Sequence, residues 1–138
     1  MPLASTNRVT LFDIRRATVW YYPDKKIIHH HFRAFVHGDE FRGVLNTGLD
    51  AFKEYGARKW LSDDRGNGAL TPEDNQWAND DWSPRVIEAG WDQWAVVMPE
   101  KIVGQMNLKR WIKVYADKGV TVRVFATPEP AFAWLAGE

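Results

Sequence analysis

Trp94-Ala95-Val96-Val97-Met98 is an unbroken apolar run bounded by Asp92 and Pro99. A strand with one wet face alternates apolar and polar residues, whereas an unbroken run of this length marks a strand buried on both faces, an interior member of a parallel sheet sandwiched by helices. Such a strand needs helical connections on either side of it in the chain, and both are readable. Upstream, Thr71-Pro72-Glu73-Asp74 combines a hydroxyl cap, a proline at the first helical position and acids in the first turn. That helix should run to about Ala89-Gly90, with a kink or break near Trp82-Ser83, because Pro84 removes one internal hydrogen bond. Downstream, Ile102, Val103, Met106, Trp111, Ile112 and Tyr115 repeat at helical spacing up to a stop at Lys118-Gly119.

Working further outward, residues 120–125 alternate like a strand, and Thr127-Pro128-Glu129 starts a last short helix carrying Phe132 and Leu135. Residues 58–62, around Trp60 and Leu61, form another strand. Before it, Phe41, Val44, Leu45, Leu49 and Phe52 share one helix face ending near Tyr55-Gly56, with Asp39 and Glu40 at the positive end of the helix dipole. Residues 17–35 read as a β-hairpin turning at Pro23-Asp24-Lys25. A further short strand fits between residues 9 and 14, and residues 1–9 read as a frayed end. The expected fold is a single α/β domain over residues 1–138: a central mixed sheet of about five strands, opening with a hairpin and continuing as alternating helices and strands.

The chain has 138 residues, enough for one domain with a real core. Its eight tryptophans are the unusual entry in its composition, since each aromatic side chain can bury about 150–250 Å². So many aromatics favour a groove or a self-association surface. A net charge of zero argues against a sequence-independent nucleic-acid binder. Without cysteine there is no disulfide, thiolate nucleophile or cysteine-ligated metal. No run of about eighteen apolar residues or signal-like start occurs, so no membrane span is expected and a cytoplasmic location follows. Acidic residues concentrate over 63–81 and basic ones over 1–33, in keeping with a solvated helix face and loop or with an acidic lobe that meets a cation or a basic partner.

Several stretches carry a resemblance: Lys59 to Arg65, Thr71 to Trp77, Ala89 to Trp91 with Trp94 to Glu100, and Gly119 to Phe125. Together they resemble the SpoIIAA-like, STAS/SEC14 domain proteins of bacteria, over roughly residues 19–135. The resemblance implies a small regulatory module with a helix-backed sheet. In the anti-sigma-factor antagonists, a serine at the start of the helix after a central strand is phosphorylated by a partner kinase, ending a protein contact. The matching segment here runs over residues 62–72. The family's Asp-Ser-Ser/Thr-Gly is replaced by Ser62-Asp63-Asp64-Arg65-Gly66, so the phosphoswitch does not carry over. The SEC14 side of the resemblance implies a lipid-like or small apolar ligand.

Candidate ligand- or partner-binding residues are Asp63, Asp64, Arg65 and Asn67 in the loop after a sheet strand, with Thr71, Asn75 and Trp77 in the helix that follows. Loops at the carboxyl ends of parallel strands, leading into helix N-termini, are where α/β folds bind ligands. Two carboxylates beside an arginine can form a satisfied turn, hold a cation or act as an acid/base pair. Asn75 and Asn79 lie on one helix face, as a solvated surface or a Trp/Asn-lined groove. His29-His30-His31 places two histidines on one strand face and one on the other, so at most two reach one ion; an edge face or a dimer contact is the expected use. Phosphate-binding glycine loops and nucleophile elbows are absent, and no catalytic residue, metal or cofactor is expected. The leading expectation is a non-enzymatic regulatory or binding module working through protein contacts or a small apolar, lipid-like ligand. The alternatives are a small enzyme using the Asp63/Asp64/Arg65 loop and a homodimer whose aromatic surface is its own interface.

Overall fold

A computed structural model describes residues 6–138. Six strands form one sheet in sequential order: β1 (Val9–Asp13), β2 (Ala17–Tyr22), β3 (Ile27–Phe32), β4 (Lys59–Asp63), β5 (Gln93–Val97) and β6 (Thr121–Phe125). The first three are an antiparallel meander, and β3 to β6 run parallel. The sixth strand comes from residues 9–13, so Val9 belongs to the sheet. Of the expected frayed end, residues 1–5 lie outside the described residues.

β5 is interior, paired to β4 on one side and β6 on the other, and four of its five residues are buried. Helices α1 (Gly38–Tyr55), α2 (Pro72–Trp77) with α3 (Ser83–Glu88), and α4 (Ile102–Asp117) fill the three parallel crossovers. When neighbouring strands follow one another in sequence, right-handed crossovers place all three on one face. The core divides accordingly. Trp94 and Val96 join Trp60, Val44, Leu49, Val86 and Trp111 in the larger cluster. Ala95 and Val97 join Leu61, Tyr22, Phe132 and Leu135 on the opposite face, under α5 (Pro128–Ala136).

Local chemistry sets each boundary. The apolar face read from the sequence is buried along α1, which closes on Gly56 in the left-handed region (φ 69°), a conformation that costs glycine little. Thr71 caps α2 by accepting a hydrogen bond from the Asp74 N–H, with Pro72 at the first position. Near Pro84 the chain does not break. A π-helical turn, Ala78–Trp82, joins α2 to α3, and the Ser83 N–H reaches back five residues to the Ala78 carbonyl. The widened turn absorbs the bond and the space that proline denies an α-helix. No helix among the described residues is long and apolar enough to cross a membrane.

Candidate functional site

Between the sheet and the helical layer lies a half-open cavity of about 70 Å³, several times the roughly 10–15 Å³ that one water needs. Its walls are aromatic: Trp60 from β4, Trp82 from the π turn, Trp91 just before β5, Trp94 within it, and Trp111 and Tyr115 from α4. Parallel register makes Trp60 and Trp94 direct neighbours. Trp60 and Trp82 meet edge to face with centroids 5.5 Å apart, and Trp91 lies 4.8 Å from Tyr115, within the range of favourable aromatic pairs. α1 approaches Trp60 closely enough that a Cβ on Gly48 would sit 2.1 Å from the indole ring.

The polar part of the lining comes from the strand ends. His30 of β3 is the register partner of Ser62 of β4, and both face the cavity. The Trp60 indole donates to His30 Nδ1 at 2.9 Å, and His30 Nε2 lies 2.6 Å from Asp64 Oδ1. An Nδ1 that accepts must be unprotonated, so the proton sits on Nε2 and is donated to Asp64. The imidazole is neutral and both its nitrogens are occupied. Ser62 accepts from the Trp94 indole at 2.8 Å, and no nitrogen of His30 remains to activate it, so the Ser62/His30/Asp64 grouping is not a nucleophile with its base. Ser62 is itself buried, at 3% exposure. Tyr115 shares a 2.6 Å hydrogen bond with Ser83, and burial raises its hydroxyl well above the ordinary tyrosine value although that bond opposes the shift.

The candidate residues read from the sequence separate. Asp63 and Asp64 leave β4 on opposite sides of the sheet. Asp63 is gripped by Arg65 through two hydrogen bonds, 2.9 and 2.8 Å, with His31 at 3.7 Å. Burial works against its charge, but Arg65 and His31 outweigh it and hold the carboxyl below the usual carboxylate value. Asp64 alone of the pair lines the cavity, so the two carboxylates do not face one reacting group. Asn67 also lines the cavity, and its Oδ1 accepts the Val36 N–H. Asn75 ties elements together: it donates to the Leu70 carbonyl, and its Oδ1 accepts from Asn107 and from the Trp111 indole. Trp77 packs edge-on against Phe41, beneath the Arg42 guanidinium. Thr71 serves as the cap.

His29 and His31 lie on the face opposite His30, as alternation requires. The Tyr22 hydroxyl accepts from Arg8 and shares a 2.9 Å hydrogen bond with His29 Nδ1, and His29 Nε2 is left buried without a partner among the described residues. Burial drives His29 down to about 3, against the pull of Asp63. Among the described residues no three His, Asp or Glu side chains are placed to hold a metal ion.

His30, Ser62 and the five cavity tryptophans are absent from the site read out of the sequence. One signal existed for His30. Residues 28, 30 and 32 share a strand face with the apolar side of the neighbouring strand, which put His30 toward the helical layer. The chain has no match among protein-family models, curated proteins or solved structures.

Proposed function

We propose that this chain is a non-enzymatic binding module of STAS/SpoIIAA-like type that takes a small, largely apolar ligand into the tryptophan-walled cavity. One observation carries the reading: a concave, mostly aromatic site in which no hydroxyl is paired with a free imidazole base. His30 has no free nitrogen, the Tyr115 hydroxyl is raised by burial, and Asp63 lies across the sheet. Pockets of this composition bind through shape and a few polar anchors. Tryptophan fluorescence during titration with small aromatic and aliphatic compounds tests the reading. The wild type should respond saturably, and Leu108→Trp, which adds bulk to the cavity wall, should fold but lose the response. Equal responses from both proteins would place any binding elsewhere.

A second reading rests on the surface. Ile102, Val103 and Met106 on the first turns of α4 are 72%, 60% and 66% exposed. Apolar side chains gathered on one exposed turn favour contact with a protein partner or a second copy. Light scattering of wild type and Val103→Lys/Met106→Lys tests it: a wild-type dimer that becomes a monomer supports self-association, and an unchanged mass in both removes that form of the reading.

A further inference from the structure

Resting on the small-ligand reading, a second property of the cavity narrows what its occupant can be. Every indole N–H in the wall is spent on a protein acceptor: Trp60 on His30, Trp82 on the Leu45 carbonyl, Trp91 on the Gln93 carbonyl, Trp94 on Ser62 and Trp111 on Asn75. The indoles therefore offer the cavity their rings and none of their hydrogen-bond donors. Among the described residues no lysine or arginine lines it. Its one carboxylate, Asp64, is only 7% exposed and takes a single hydrogen bond, at Oδ1, from a histidine that the Trp60 bond keeps neutral. Among the described residues no cationic group neutralises it.

A buried carboxylate without a counter-charge is costly, and electron-rich indole faces attract positive charge, most strongly where water is excluded. Anions meet the opposite conditions on both counts. We propose that the cavity binds an organic cation, a compact amine or methylated ammonium group held against the tryptophan rings with the Asp64 carboxylate as its counter-ion. A compact head group fits the volume of about 70 Å³, and a longer body would leave through the open side, where Leu70 and Asn107 are partly exposed.

Calorimetric titration with choline and with 3,3-dimethylbutan-1-ol, its uncharged carbon isostere, tests the inference without any variant, because the two differ in charge and scarcely in shape. Choline should bind about tenfold or more tightly. Asp64→Asn keeps an oxygen to accept from His30 and should abolish most of that preference while circular dichroism stays unchanged. Equal or tighter binding of the alcohol, or an Asp64→Asn protein that binds choline as the wild type does, overturns the cation inference and leaves the small-ligand reading standing. No heat from either probe, nor from indole or phenol, overturns both.

Discussion

His30 and Asp64, thirty-four positions apart in the chain, meet with Nε2 and Oδ1 2.6 Å from each other, both side chains buried. The contact joins the end of the antiparallel meander to the loop after the first parallel strand, and the Trp60 indole bond to the other ring nitrogen holds the imidazole in one tautomer. Phenylalanine at position 30 would fill the same space but neither accept from Trp60 nor donate to Asp64. A buried donor and a buried carboxylate would each lose a partner, at a cost of about 3 kcal/mol. Equilibrium urea unfolding of His30→Phe should show that loss; a change below about 1 kcal/mol would mean that the network contributes little.

Gly48 and Trp60 set how closely α1 lies on the sheet. Alanine is the better helix former by about 1 kcal/mol, yet its Cβ would stand 2.1 Å from the Trp60 ring, and such overpacking costs about 1–3 kcal/mol. Gly48→Ala should therefore be destabilising by up to about 2 kcal/mol net. In a Trp60→Phe background the same change should cost less, since the clashing ring atoms are gone. Thermal melts of the four proteins give the coupling, and strict additivity would show that the contact does not control the packing.

His29 makes stability acid-sensitive. Its folded value is about 3 against 6.5 for the free side chain, so below pH 6.5 the unfolded chain takes up a proton that the folded chain refuses. Stability is full above the unfolded value and falls as pH drops toward the folded one. One such group removes about 2 kcal/mol between pH 8 and pH 5. Asp63, held low by Arg65, acts in the same direction at lower pH still. Denaturant unfolding at the two pH values should show a loss in wild type that is about 2 kcal/mol smaller in His29→Phe; an equal loss in both proteins would assign the acid sensitivity to other groups.

The fold was readable because its decisive segments are locally unambiguous. The unbroken run around Val96 has one stable placement, the periodic face of α1 another, and Thr71-Pro72 marks a helix start whatever packs around it. Pro84 located the irregularity in the second helix, but its form depends on Trp82 being held in the core, with its indole on the Leu45 carbonyl, so the π turn was not legible. The site was legible only in part. Asp64 was singled out, but so was Asp63, and adjacent residues on a strand end face opposite ways. The partner of Asp64 lies on another strand, at a register that only the folded sheet defines. The cavity tryptophans come from positions 60, 82, 91, 94 and 111, which share no motif and converge only once three crossovers have stacked on one face of the sheet.

The indole N–H resonances of the eight tryptophans provide the most direct check that the cavity is the ligand site. In a ¹H–¹⁵N spectrum recorded during titration with choline or, failing a response, with indole at natural isotopic abundance, the signals of Trp60, Trp82, Trp91, Trp94 and Trp111 should move together and saturate. Those of Trp20, Trp77 and Trp134, outside the cavity, should stay in place. Movement confined to those three, or uniform drift of all eight without saturation, would contradict the account.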